Sequence, residues 1–304
     1  MINPNALVVG EALVDIVVPL RGESKEIPGG SPANVALTLG RLERTARLLT
    51  WLGSDARGQL VRKHLEESNV IVGEESLRAE KTSTALARLD ETGAATYTFD
   101  IEWKLPDCEI AEDTVVVHSG SIAATLEPGG SGVVRLLEKA RDVAIVTYDP
   151  NARPTIMGDP AKAYERVKEC VRLADVVKMS DEDAEWLTGN SNIEQVAREW
   201  LELGPSLVVV TRGGDGVSAY FGDETVHLPA ADVKVVDTVG AGDSFMGGLI
   251  DALWSENLLG ANNRYALAHI DRECVIRLLG RAGSISAITV SRAGANPPWK
   301  KELI

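Results

Sequence analysis

Residues 114–150 read TVVVHSGSIAATLEPGGSGVVRLLEKARDVAIVTYDP. Two short β-branched runs, TVVVHSG (114–120) and AIVTYDP (144–150), flank GVVRLLEKARD (132–142), whose apolar residues fall at helical spacing. A run without polar alternation fits a strand buried on both faces, as in a parallel sheet. The same alternation extends in both directions: ALVVG (6–10) and ARLLTWLG (46–53) on one side, ADVVKMS (174–180) and SLVVVTRGG (206–214) on the other, each separated by helix-period segments. This spacing predicts an α/β protein with a doubly wound, mostly parallel sheet flanked by helices. Ligands in such sheets bind beyond the carboxyl ends of the strands, so the residues just after each run come first as site candidates.

STALARLDETGAATYTFDIEW (83–103) breaks the pattern, with two strand-like runs around Glu91-Thr92-Gly93 and no helix between them. It reads as an antiparallel hairpin. It either builds a small separate sheet with VDIVV (14–18) or lies at the edge of the main one. We expect one domain over 1–304 with a small β lid from about 12–20 and 83–105.

The composition excludes several function classes. A chain of 304 residues, 44% hydrophobic and 25% charged, has the make-up of a globular protein with a sizeable core. A net charge of −14 argues against nucleic acid and against an anionic membrane surface, since both require clustered Lys and Arg. The apolar amino terminus has no positive start and is interrupted by Glu11 and Asp15, unlike a signal peptide. Cys108, Cys170 and Cys274 are odd in number and in no CxxC pair, which points to free thiols in the cytoplasm. His64, His118, His227 and His269 are scattered without metal or triad spacing.

In VDTVGAGDSF (236–245) a strand-like VKVVD leads through Gly240-Ala241-Gly242 into a helix carrying Phe245, Leu249 and Leu253 on its apolar face. Small residues there leave backbone N–H groups open to an anion, and the helix amino end adds partial positive charge. Asp243, in the first turn, would take the proton of an attacking hydroxyl, or would merely cap the helix. GGSPANVALTLGRL (29–42) is a second glycine turn opening a helix, with Ser31 suited to the N-cap, Pro32 to the first helical position and Asn34 off the buried stripe. Neither a GxGxxG near the amino terminus nor a GxxxxGK[ST] is present.

Taken together, the two stretches resemble the ribokinase-like (PfkB) carbohydrate kinases. Asp237, Thr238, Gly240, Ala241, Gly242 and Asp243 match the carboxyl-terminal signature [DN]-T-x-G-A-G-D. Gly29, Gly30, Pro32, Asn34, Ala36 and Gly53 match the amino-terminal one, which the chain leaves at Glu43, where a small residue is usual. The resemblance implies a ribokinase-like fold and an ATP-dependent sugar kinase. Asp243 is then the catalytic base, and the amides of Gly240, Ala241, Gly242 and Asp243 form an anion hole.

The remaining site residues follow from the same likeness. Asp15, Gly29, Gly30 and Asn34 would hold sugar hydroxyls. YDPNARP (148–154) resembles the DPNxR element of fructokinases and 2-keto-3-deoxygluconate kinases, giving Asn151 and Arg153 as substrate ligands, though an Asp-Pro-Asn turn with a surface Arg reads as well from the residues alone. Ser180 and Asp183 replace the N-x-x-E pair tied to magnesium and phosphate. TRGGDG (211–216) matches a T-x-G-x-x-G turn, placing Thr211, Gly213 and Gly216 along the nucleotide. Asp237 and the Val239 carbonyl would bind a monovalent cation such as potassium. Tyr97, Phe99 and Trp103 on the hairpin would cover the sugar or serve packing. The implied ligands are ATP, magnesium and fructose as first-choice acceptor, with 2-keto-3-deoxygluconate and ribose as rivals, a sensor of the same fold as a further reading, and a homodimer through the lid as the implied assembly.

Overall fold

The computed structural model describes residues 4–20, 22–89 and 95–303. The thirteen strands are β1 (Asn5–Val9), β2 (Leu13–Val18), β3 (Lys25–Gly29), β4 (Ala46–Leu49), β5 (Val70–Val72), β6 (Thr84–Leu89), β7 (Ala95–Asp100), β8 (Thr114–Gly120), β9 (Ile145–Asp149), β10 (Val176–Ser180), β11 (Leu207–Thr211), β12 (Val217–Phe221) and β13 (Glu224–Leu228). The helices among them are α1 (Ser31–Arg41), α2 (Ala56–Glu66), α3 (Gly129–Ala140), α4 (Pro154–Met157), α5 (Pro160–Leu173), α6 (Asp181–Thr188), α7 (Ile193–Glu202), α8 (Ala241–Ser255), α9 (Arg264–Ala268) and α10 (Arg272–Val290).

Nine strands form one sheet in the order β13-β12-β11-β10-β9-β8-β1-β4-β5. It is parallel except where β12 pairs antiparallel with β11 and β13. Strand β1 shows why its apolar run is unbroken. Ala6 and Val8 pack into one core with Val35, Leu39, Leu249 and Leu278, while Leu7 and Val9 pack into the other with Leu137, Val167 and Trp200. A strand covered by helices on both faces has no solvent face, so a polar side chain there needs a buried partner. The chain winds from β1 towards β5 on one side and then from β8 towards β13 on the other, so β1 and β8 flank the switch of direction.

The hairpin strands do not edge this sheet. Strands β3-β2-β6-β7 form a separate four-stranded sheet, in which β2 runs parallel to β6 and antiparallel to β3. The turn at Glu91-Thr92-Gly93 lies outside the described residues. Register puts Asp15, Ala85 and Phe99 on one face, together with Val17, Ala87 and Tyr97. The opposite face carries Val14 and Ile16 into the main core.

Two local readings are corrected. VKVVD before the glycine turn is not a strand: residues 229–239 are loop, with Val235, Val236 and Val239 exposed. Without a neighbouring strand, β-branched residues alone do not make one. Ser31 is not an N-cap but the first residue of α1; Gly30 caps the helix at φ 107, with Pro32 in the first turn. Glu43 sits just past α1 at φ 62, the left-handed conformation that a small residue adopts more readily.

Helix α8 is gripped between α1 and α10 because Gly247 and Gly248 remove side chains from both contacts. A Cβ on Gly247 would lie 2.6 Å from Thr38 Cβ of α1, and one on Gly248 would lie 3.0 Å from Ala282 Cα of α10. Further along, buried Asp251 pairs with Arg44 at 2.7 Å and Arg281 at 2.8 Å, fixing how far α8 slides along its neighbours. These contacts set the height of Asp243 against α1.

Candidate active site

Asp243 is 6% exposed and accepts hydrogen bonds from three side chains. Ser31 Oγ donates to Oδ1 at 2.7 Å, Asn34 Nδ2 to Oδ2 at 2.7 Å, and Asn151 Nδ2 to Oδ1 at 3.1 Å. Asn151 Nδ2 also reaches Ser31 Oγ at 2.7 Å. An ionised carboxylate has about four lone-pair sites, so three donors leave room for one more hydroxyl. This arrangement orients an acceptor without supplying it a proton, as a general base needs.

Each donor owes its place to a local feature. Gly30 turns the chain into α1 where a Cβ would collide with the Glu11 carbonyl oxygen, so Ser31 and Asn34 sit one turn apart on the end of the helix facing α8. Asn151 lies just past β9 at φ 35, a conformation asparagine tolerates better than most residues. Its amide oxygen accepts from Arg153 Nη1 at 2.7 Å, and its N–H donates to Asp149 Oδ1 at 3.2 Å.

Asp183 holds the same loop from below. Its Oδ1 accepts from the Ala152 N–H at 2.7 Å and its Oδ2 from the Ser180 N–H at 2.9 Å, while Ser180 Oγ accepts from the Asp183 N–H at 3.0 Å. The Ser180–Asp183 pair is thus a capping box on α6 with one carboxylate oxygen reaching across to the DPNAR loop.

Next to this clasp lies the amino end of α8. Gly240 is at φ 75, where a Cβ would come within 2.6 Å of Ala295 Cβ. The Ala241 N–H is used inside the turn, donating to the Thr238 carbonyl at 3.2 Å. The N–H groups of Gly242 and Asp243 precede the first helical hydrogen bond and have no partner among the described residues, leaving two donors for an anion. Lys178 is 2% exposed and lies so near that a Cβ on Gly242 would be 2.9 Å from its Nζ. That ammonium donates to Asp149 Oδ2 at 2.9 Å. Burial alone would lower it, but the carboxylates of Asp149, Asp183 and Asp243 outweigh burial, raise it and keep it charged. An ammonium with one protein acceptor has two further donors beside the open amides.

Four of the nucleotide candidates share one cavity, which Gly240 and Ser180 do not line. Thr211, Gly213, Gly216 and Gly242 line a space of about 430 Å³ walled by Val233, Val235, Phe245, Leu279 and Val290. Apolar walls with a glycine rim suit a planar base followed by phosphates. Ser180 is not among the lining residues, although it pairs in register with Thr211. Asp237 accepts from the N–H groups of Val239 at 3.0 Å and Gly294 at 2.8 Å, which hold its carboxyl below the usual range and join two loops outside that cavity. A second space, about 530 Å³ between residues 104–110 and α3, shares no residue with the clasp.

On the four-stranded sheet, Asp15 lies against Gly29, where a Cβ would collide with Asp15 Oδ2. Burial pushes its carboxyl up to about 6, with Arg153 opposing. Tyr97 is 58% exposed and stacks on Phe99 at 5.9 Å on the face that carries Asp15. Trp103 does not join them: it is buried, and its indole N–H donates to the Ala123 carbonyl at 2.8 Å. The sequence reading missed Lys178, Asp149 and the contact of Ser31 with Asp243. A lysine inside an apolar strand, VVKMS, was the available signal, since a buried ammonium needs a paired anion.

The profile of the pfkB family carbohydrate kinases matches residues 3–301. The chain belongs to this family. As a pfkB kinase it is a phosphotransferase acting on a sugar hydroxyl, and the clasp and the open amides lie where its two signatures meet. Among curated relatives, a fructokinase of Rhizobium leguminosarum bv. trifolii is 34% identical over 83% of this chain and 81% of its own length. Among solved structures, a fructokinase of Xylella fastidiosa with bound ATP superposes with a TM-score of 0.84 at 25% identity, covering 99% of this pfkB chain and 97% of that one. A fructokinase of Vibrio cholerae O395 with fructose, ADP and calcium bound gives 0.77 at 26% identity, covering 96% and 94%. No helix among the described residues is long and apolar enough to cross a membrane.

Proposed function

We propose that this pfkB kinase is an ATP-dependent fructokinase with Asp243 as the catalytic base. The observation that carries the reading is the clasp on Asp243, which fixes a carboxylate beside the two open amides of Gly242 and Asp243 and the Lys178 ammonium. A primary hydroxyl of the sugar takes the remaining acceptor site on Asp243 and attacks the γ-phosphorus in line with the leaving ADP oxygen. Its proton passes to Asp243 as the O–P bond forms. The amides and Lys178 stabilise the charge on the transferring phosphoryl oxygens. Asp15, Gly29, Gly30, Asn34, Asn151 and Arg153 orient the sugar. ATP fits the cavity lined by Thr211, Gly213 and Gly216. Support for fructose comes from the relatives of that name and from the Vibrio neighbour holding fructose.

No three carboxylate, histidine or cysteine side chains form a metal cage among the described residues, and Asp183 is committed to two backbone N–H groups. Magnesium therefore fits this chain as a companion of the ATP phosphates, held by their oxygens and by water. When bound it offsets phosphate charge. Asp237 and the Val239 carbonyl suit a potassium ion. The four-stranded sheet acts as a lid with Tyr97 over the sugar, and its exposed Ile27 and Tyr97 fit pairing with a second copy in a homodimer. Three free cysteines fit a cytoplasmic setting.

The test is ADP release from MgATP with potassium present, across fructose, 2-keto-3-deoxygluconate and ribose, with Asp243→Asn alongside. Turnover on fructose, reduced at least about a hundredfold in the variant, is the expected result. Turnover on a different sugar would replace the acceptor. Near-normal turnover in Asp243→Asn would remove the base assignment.

A further inference from the structure

Glu11 and Ser121 stand just beyond the carboxyl ends of β1 and β8, the neighbours between which the nine-stranded sheet changes winding direction. That crevice is where open α/β sheets take their ligands. Glu11 is 6% exposed, the same as Asp243, yet the clasp and the Lys178 ion pair do not use it. The Ser121 side chain stands beside the carboxyl, while Oε2 is buried with no partner. Ser121 itself sits at φ 52, a conformation serine rarely takes, so its approach to Glu11 carries a strain cost. The backbone of Glu11 packs against Gly30, the residue that starts the clasp helix. Arg153 and Asp243 are the charged groups acting on its carboxyl.

We propose that Glu11 is a hydroxyl-recognising group of the sugar pocket, with Oε2 pairing with one hydroxyl of the bound acceptor. The inference rests on the sugar-kinase reading of the same site. A buried polar atom without a partner is costly, and an arriving hydroxyl removes that cost. Burial pushes the Glu11 carboxyl up to about 7, with Ser121 and Arg153 opposing. Near neutral pH it therefore keeps a large share of its proton, and with it an O–H donor as well as an acceptor oxygen. A carboxyl that keeps part of its proton can both donate to and accept from a polyol hydroxyl. A site built to pair with a hydroxyl rejects an analogue lacking it far more strongly than an apolar pocket does.

The experiment compares wild type, Glu11→Met and Glu11→Gln on fructose, ribose and 2-keto-3-deoxygluconate, then on single-deoxy analogues of whichever sugar wild type phosphorylates. Methionine fills the volume without a hydrogen-bonding oxygen, and glutamine keeps both a donor and an acceptor. Glu11→Met should lose about ten- to a hundredfold in kcat/KM for the sugar, through KM, with the KM for ATP unchanged. It should also lose wild type's discrimination against one particular deoxy analogue, while Glu11→Gln keeps most of both. Should Glu11→Met fail to fold, Ser121→Ala with Glu11 intact gives a second readout, since a carboxyl that loses its neighbour and shifts alters discrimination at that one hydroxyl. Unchanged sugar KM and unchanged discrimination in the folded variants would overturn the inference alone. Absence of turnover by wild type on every sugar would overturn the kinase reading and this inference with it.

Discussion

Asp183→Ala tests whether the residue in the family's metal-associated position handles metal or geometry in this chain. Its two oxygens accept from Ala152 N–H at 2.7 Å and Ser180 N–H at 2.9 Å, and it is 7% exposed. A hydrogen bond to a charged group contributes about 1.5–3 kcal/mol, so removing the carboxylate withdraws about 3–6 kcal/mol gross. Water recovers part of this, since both amides are only part-buried. If about 2 kcal/mol is lost from the 150–153 loop, the equilibrium constant for holding Asn151 at φ 35 against Asp243 falls about thirtyfold. We expect kcat to fall by up to that factor and stability by about 2 kcal/mol, with the magnesium concentration for half-activation unchanged. Asp183→Asn keeps one acceptor oxygen and should fall between. The assay is ADP release titrated with magnesium at fixed MgATP, alongside a urea melt. Recovery of kcat at high magnesium, with half-activation moved tenfold or more, would refute the positioning account and return Asp183 to the metal.

Other outcomes follow from neighbouring contacts. Gly247→Val should push α1 away from α8 at Thr38, lengthen the Ser31 and Asn34 bonds to Asp243, and lower kcat more than tenfold with ATP binding retained, measured by turnover and nucleotide titration. Asp251→Ala leaves Arg44 and Arg281 without their carboxylate; both are partly exposed, so a loss of about 2–3 kcal/mol in a urea melt is expected, and a loss under about 0.5 would contradict it. Asp15 is raised to about 6, so its accepting form is lost as pH falls through 6. The sugar KM should climb below that pH while the ATP KM holds, and Asp15→Asn should abolish the dependence. The same raised carboxyl favours the folded state below pH 3.8 and gives up that contribution as pH rises towards 6, so binding and stability move in opposite directions.

The layered fold was legible because its signals are local. Unbroken apolar strands alternating with helical stripes require a sheet covered on both faces, and that requirement is present within a short window such as 114–150. Turn chemistry was partly legible: the glycines at 29–30 and 240–242 marked helix starts, but VKVVD has strand propensity without a strand to pair with, and so stayed loop. Ser31 looked like a cap because Ser before Pro usually is one; only the turn at Gly30 moved the cap back by a residue and freed the hydroxyl for Asp243.

By itself the sequence determined the layered alternation of strands and helices, the two glycine-opened helices and the identity of the carboxylate at position 243. The tertiary structure alone decided which donors meet that carboxylate, since Ser31 and Asn34 are 212 and 209 residues away from it. It decided too that Lys178 faces the amides of α8, that Asp183 supports the DPNAR loop and that Glu11 is left with a bare oxygen. The physical reason is range: propensity and periodicity act within a turn or two of chain, whereas these contacts depend on how closely Gly247 and Gly248 let α8 approach its neighbours.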